Sequence, residues 1–321
     1  MTIERAGLDL YAIGEVVVDF ISISMADSLA DARKFHSFVG GQPANLAIDL
    51  ALLGGNTALA ACVGDDGFGK MITKFLQESG VKTEFIQCTE KAPTTSAIIA
   101  RHTKTPDFVI NRGADACLCF NADHEQVIAS SRIVHSSAFA LAREPSRSAV
   151  LETLKFAHDS GCLVTFDPNY HPKTWPDSRE INEHLISVYR YVDVTKPSVD
   201  DCERIFGERM SPENYAERFL EWGPSIVLIT KGSEGVYLVT SAGDSYEIFP
   251  KKVDVADVTG AGDAFWAGFL TAILDGSSPL EAACFGQVVA ETKVGVMGPI
   301  TDMLDLGDLT ERAQSVKYTK N

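Results

Sequence analysis

Short apolar runs alternate with stretches of helical periodicity along most of the chain. DLYAIGE and TALAACVG read as strands, and the intervening NLAIDLALLG carries apolar residues at helical spacing until Gly54 and Gly55 stop it. Further on come RIVHSSA, LVTFDPN, YVDVTKP and SIVLITKG, each an apolar strand that ends in a polar or turn residue; most are followed by an amphipathic stretch. Buried-type strands that alternate with helices predict an α/β fold with a mostly parallel sheet covered by helices on both faces. Ligands of such sheets bind beyond the carboxyl ends of the strands, which singles out Asp19, Gly64, Asp167, Asn169, Lys196 and Lys231. Two stretches break the alternation. Residues about 15–38 and about 94–112 read as strand pairs with no helix between them, and such additions form a small β-sheet lid over the site. No repeat, low-complexity tract or flexible linker interrupts residues 1–321, so core and lid are expected to be one domain joined by short hinges.

Charge narrows the partners. With 44 acidic against 28 basic residues the net charge is −16, which argues against nucleic-acid binding by phosphate neutralisation. One local concavity can still take a small anion. The seven cysteines include no C-x-x-C pair and no zinc spacing, so they read as reduced thiols, mostly in the core. The N-terminal residues carry no apolar signal core, and the longest apolar run, Ala264 to Leu274, is too short to span a bilayer. That run reads as a buried helix. The expectation is a soluble cytoplasmic protein without membrane contact.

Three glycine-bearing loops compete for a phosphate. Gly64 to Lys70 matches most of a P-loop, but Met71 stands where a hydroxyl must reach magnesium, and Asp65 and Asp66 would repel phosphate. A polar strand-to-helix turn is the plainer reading. Gly260-Ala261-Gly262-Asp263 opens the apolar run. Small residues there let backbone N–H groups converge on an anion at a helix N-terminus. Asp263 inside that cradle reads either as a general base for an attacking hydroxyl or as a helix N-cap. The third loop, Thr230 to Gly235, fits turn chemistry as well as nucleotide contact.

Taken in order, these segments resemble the ribokinase-like carbohydrate kinases, the pfkB family, over nearly the whole chain. GEVVVD, with Asp19, resembles the family's first strand, whose aspartate holds sugar hydroxyls. GGQPANLAIDLALLGG resembles the first family signature and implies Gly40, Gly41 and Asn45 in the sugar pocket. DVTGAGDAFWAGFL resembles the second, more specific signature. It implies Asp263 as catalytic base and Gly260, Ala261 and Gly262 as the anion hole. The resemblance therefore implies a three-layer α/β/α fold with a β lid, and ATP and Mg2+ as cofactors. TKPSVDDCE implies Lys196 and Ser198 near the nucleotide, with Asp201 meeting magnesium through water. Thr230, Lys231, Gly232 and Gly235 resemble the family's nucleotide loop, and Asp257 and Thr259 match positions that carry a monovalent cation, K+, in some members.

The substrate turns on fewer residues. NRGADA, with Arg112, and DPNYHPKTWP, with Asn169, are similar to the fructokinase and 2-keto-3-deoxygluconate kinase branch. His171 stands where the keto-acid kinases carry an arginine, and a neutral imidazole does not replace a bidentate guanidinium. Arg112 remains available to either substrate. A neutral ketohexose, fructose, is therefore the first expectation. The alternatives are 2-keto-3-deoxygluconate, then a nucleoside kinase or a sugar-binding protein without chemistry. Trp175 and Trp222 read as packing residues and His135 as a satisfied core histidine. Ala282, Ala283 and Gly286 fit either an adenine slot or close helix packing. Lid strands with exposed edges make a homodimer through the lid an expectation.

Overall fold

The computed structural model describes residues 7–101, 107–175, 181–256, 258–296, 300 and 302–321. The first strands in chain order are β1 (Leu10–Ile13), β2 (Val17–Ser22), β3 (Phe35–Gly40), β4 (Thr57–Gly64), β5 (Ile86–Thr89), β6 (Ser96–Ile99) and β7 (Phe108–Asn111). They are followed by β8 (Ile133–Ser137), β9 (Leu163–Asp167), β10 (Val194–Thr195), β11 (Ile226–Thr230), β12 (Val236–Thr240), β13 (Ser245–Phe249) and β14 (Lys317–Lys320). The helices are α1 (Gln42–Leu52), α2 (Gly67–Glu78), α3 (Glu125–Ser130), α4 (Ser146–Asp159) and α5 (Ile181–Tyr189). After them come α6 (Val199–Phe206), α7 (Pro212–Trp222), α8 (Ala261–Leu274), α9 (Pro279–Val294) and α10 (Leu306–Ala313).

Ten strands form one sheet in the order β14-β13-β12-β11-β10-β9-β8-β1-β4-β5. Pairing is parallel from β5 to β11 and antiparallel from β11 to β14. The period of two along each strand sorts side chains onto two faces. Leu10, Ala12, Leu59 and Ala61 pack with α1, α2, α8, α9 and α10, whereas Tyr11, Ile13, Ala58 and Ala60 pack with α3, α4, α5, α6 and α7. The result is the expected three-layer α/β/α sandwich. Every residue of β4 is buried, as its unbroken apolar run requires. Helix α8 is buried from Ala264 to Ile273, which accounts for its apolar sequence.

The remaining strands form a separate sheet, β3-β2-β6-β7, from the two stretches that broke the alternation. Asp19 belongs here. The core strand β1 ends at Ile13 and GEVVVD crosses into the small sheet, so Asp19 sits on β2 rather than at the end of a core strand. The crossing is held by Glu15, whose buried carboxylate accepts from the Gln42 backbone N–H at 3.1 Å and from Ser137 Oγ. No described helix is long and apolar enough to cross a membrane, and all seven cysteines are free.

Candidate active site

The N-terminus of α8 is built without a side-chain cap. Its N-cap is Gly260 at φ 77°, a left-handed conformation that glycine adopts without steric cost. Asp263 is thus not the N-cap; it is the third helical residue. The amides of Gly262 and Asp263 lack intrahelical partners, and the helix dipole adds partial positive charge. Ala261 N–H donates to Val258 O at 3.2 Å, so this amide of the expected anion hole is engaged. Gly262 keeps the space open: a Cβ there would lie 3.4 Å from Lys196 Nζ.

The Asp263 carboxylate is aimed by Asn45, whose Nδ2 donates to Oδ2 at 2.8 Å. Burial pushes this carboxyl up to about 6; the nearby Asp167 carboxylate adds to the rise, while Asn45 and Lys196 oppose it. A base that holds its charge just below neutral pH suits proton abstraction. Asp19 comes close for a steric reason. A Cβ on Gly40 would stand 2.0 Å from Asp19 Oδ2, so only glycine at position 40 admits the carboxylate. Burial and then the charge of Asp263 push Asp19 up to about 7. Asp19 and Asn45 line a cavity of about 270 Å³ with Phe38, Gly260, Thr259 and Asp49. A larger groove of about 370 Å³ runs along α2 and β5, but no predicted catalytic residue lines it.

Sequence comparison decides the family. Residues 8–306 match the pfkB family carbohydrate kinases. The chain belongs to that family. It is 33% identical over 298 residues to the ATP-dependent 6-phosphofructokinase of Thermoanaerobacterium thermosaccharolyticum, covering 93% of this chain and 91% of that one. Against the 5-dehydro-2-deoxygluconokinase of Clostridium beijerinckii it is 31% identical over 304 residues, covering 92% and 90%. The solved structure of Halothermothrix orenii fructokinase superposes with a TM-score of 0.77 at 32% identity over 91% of this chain and 99% of that one.

Behind the Asp263 carboxylate this sugar kinase carries a buried polar network. Lys196 Nζ lies 2.8 Å from Asp167 Oδ2, which also accepts from Trp266 Nε1 at 3.0 Å. Burial works against the Lys196 charge, but Asp167 outweighs it and holds the ammonium above its ordinary value. Asn169, at φ 35°, donates its N–H to Asp167 Oδ1. His135 is the satisfied core histidine expected. Its two ring nitrogens meet Thr165 and Gln42 at 2.8 Å each, and burial pushes it down to about 3, so it is neutral. Gln42, Trp266, Asp49 and Lys293 escaped sequence reading; an acid and a lysine within apolar helices were the only signal.

The other predicted residues fall into structural roles that are visible in the fold. Ser198 and Asp201 form the capping box of α6, and Asp201 Oδ1 also accepts from Tyr170 N–H. Both Asp201 oxygens are thus engaged. Ser198 bridges to Thr230, which brings the ends of β10 and β11 together. Residues Thr230 to Gly235 make the tight turn into β12, with the Lys231 ammonium on Glu247. Asp66 caps α2 through Gly69 N–H and binds Thr94, so the P-loop near-match is the polar turn expected.

Arg112 is less available than its sequence position implies. Its guanidinium pairs with Asp115, stacks 3.9 Å over Phe139 and donates to Thr174 O. His171 accepts from Lys173 N–H, and burial followed by the charges of Arg204 and Lys173 holds it below its ordinary value. Trp222 packs among Tyr189, Phe206 and Phe219, and Trp175 packs on Tyr170. Of the pair matched to a monovalent cation, Thr259 lines the cavity and Asp257 lies outside the described residues.

Proposed function

We propose that this sugar kinase transfers the γ-phosphoryl group of ATP to a hydroxyl of a ketohexose, with fructose as the preferred acceptor. The proposal rests on the Asn45–Asp263 bond at the uncapped N-terminus of α8, beside the cavity that Asp19 lines. Asp19 and Asn45, with Gly40 and Gly41, hold the sugar hydroxyls. Asp263 takes the proton of the attacking hydroxyl, whose oxygen forms the new bond to the γ-phosphorus. The bond to the β,γ-bridging oxygen breaks, and ADP leaves with its electron pair. The amides of Gly262 and Asp263 meet the charge on the transferring group. Nucleotide contacts fall to Lys196, Ser198 and the turn from Thr230 to Gly235, at the joined ends of β10 and β11.

Magnesium fits as an ion carried on the nucleotide phosphates. No cluster of three or more acidic, His or Cys side chains among the described residues could hold a metal, and Asp201 would reach it through water. When bound, the ion neutralises phosphate charge. The small sheet over the cavity acts as a lid that excludes water. In the same reading the enzyme is cytoplasmic and pairs with a second copy through the open edges β3 and β7.

A neutral His171 and an Arg112 tied to Asp115 leave a sugar carboxylate without a ready cation there, which disfavours the keto acid. Arg101 and His36 on the cavity wall favour a second reading, a ketohexose that already bears a phosphate. Turnover of ADP with fructose, fructose 6-phosphate, both dehydro-deoxygluconates, ribose and a nucleoside separates these. Fructose should give the highest kcat/KM. A preference for fructose 6-phosphate supports the second reading, and turnover of none would leave a protein that binds sugar without chemistry.

A further inference from the structure

Two buried lysines approach the α8 turn from different elements. Lys196, after β10, brings Nζ to 3.4 Å of a Cβ built on Gly262. Lys293, in the last turn of α9, brings Cε to 3.5 Å of a Cβ built on Gly260 and is only 4% exposed. Chain geometry explains the second approach. Helix α9 follows α8 after the short turn at Asp275–Ser278 and packs closely along it, so the C-terminal end of α9 comes back beside the N-terminal end of α8. The contact is close because the helices meet at glycines. A Cβ on Gly268 would lie 2.9 Å from Gly286 Cα, and one on Gly286 would lie 2.7 Å from Phe265 O. Gly286 thus serves close helix packing, which sets Lys293 against Gly260.

The charges around Lys293 lead into the site. Asp49 stands one helical turn past Asn45 on α1, and both line the cavity with Thr259, Gly260 and Lys293. Asp49 feels Asp263 and Lys293 together: burial and Asp263 raise it to about 8, and Lys293 pulls against them. A lysine at a helix C-terminus also offsets the helix dipole, which is the purely structural role to be separated. We propose that Lys293 is a positioning residue of the anion hole: its stem braces the Gly260 turn, and its ammonium joins Lys196 in the positive field that holds the transferring phosphoryl group. It supplies from within the chain the charge that a bound monovalent cation would otherwise bring. This rests on the kinase reading of the site.

The test is Lys293→Met, which keeps an unbranched stem of similar length and removes the charge. Losing one such electrostatic contribution should lower kcat about 10²–10³-fold, with KM for sugar and ATP unchanged. Affinity for ADP with aluminium fluoride, a mimic of the phosphoryl in transfer, should fall while ATP affinity holds. Ammonium or potassium salts should restore part of the lost turnover, and tetramethylammonium at equal ionic strength should not. Wild-type turnover should not depend on potassium. A variant with near wild-type kcat overturns the proposal; so does a loss without salt rescue and with unchanged aluminium fluoride binding, which would mark a structural role. If the wild type turns over no sugar, the kinase reading fails instead, and aluminium fluoride binding still decides the part played by Lys293.

Discussion

Asn45 Nδ2 and Asp263 Oδ2 meet at 2.8 Å although 218 positions separate them in the chain. The bond ties α1, which leaves the small sheet, to the uncapped N-terminal turn of α8. It orients the carboxylate and favours its charged form, because a donor to the anion stabilises it. Asp263 titrates near 6 in the fold, so kcat/KM should rise with pH through that value as the base loses its proton. Asn45→Asp replaces the donor with a like charge. The acid limb should then move to higher pH by about one pH unit or more. A pH–rate profile of the variant that overlays the wild type would break the proposed coupling.

Gly40→Ala tests the sugar side. Its Cβ would sit 2.0 Å from Asp19 Oδ2, so the carboxylate must turn away from the cavity. Loss of a buried hydrogen-bond partner costs about 1–3 kcal/mol, or about 5- to 150-fold. The sugar KM should rise by that range while the ATP KM stays put. Equal effects on both substrates in steady-state kinetics would show that Asp19 does not act on the sugar alone.

Lys196→Met should destabilise the fold. Lys196 and Asp167 are each only 5% exposed, and the variant strands the carboxylate with neutral partners. Breaking a buried pair from one side typically costs about 3–5 kcal/mol. Urea unfolding should show a lower midpoint at pH 8. A midpoint equal to wild type at pH 8 would mean that the pair is solvated.

Asp263→Asn should act on stability in the other direction. A carboxyl raised to about 6 holds its proton in the fold after the unfolded chain has released it, so its contribution to stability falls as pH rises through that window. The neutral variant should therefore melt above the wild type at pH 8 and gain less at pH 5. A lower melting temperature at pH 8 would contradict the burial of charge at this position.

The core was legible because its strands are buried on both faces. TALAACVG needs no alternation to declare itself, and it is β4 from end to end. The antiparallel extension was not. KYTK at the C-terminus is an exposed strand, and its pairing of Lys320 with Tyr246 depends on contacts that no local pattern carries. Asp263 was singled out by its glycine-rich cradle, and both it and Asn45 by the resemblance to the two family signatures. Lys293 and Asp49 were not, because each looks locally like an ordinary polar helix residue. Only the return of α9 along α8, set by Gly268 and Gly286, brings Lys293 to Gly260. The pairing of Arg112 was not legible for a similar reason: its partner Asp115 lies three residues on, in a 3-10 turn that the sequence did not announce.

The most direct measurement is ADP release with fructose and ATP, compared between the wild type and Asp263→Asn, with ATP affinity measured alongside. General base catalysis contributes about 10²–10⁴-fold, so the variant should lose at least that much turnover and bind ATP as before. An Asp263→Asn enzyme that turns over fructose at a near wild-type rate would contradict the assignment of Asp263 as the base.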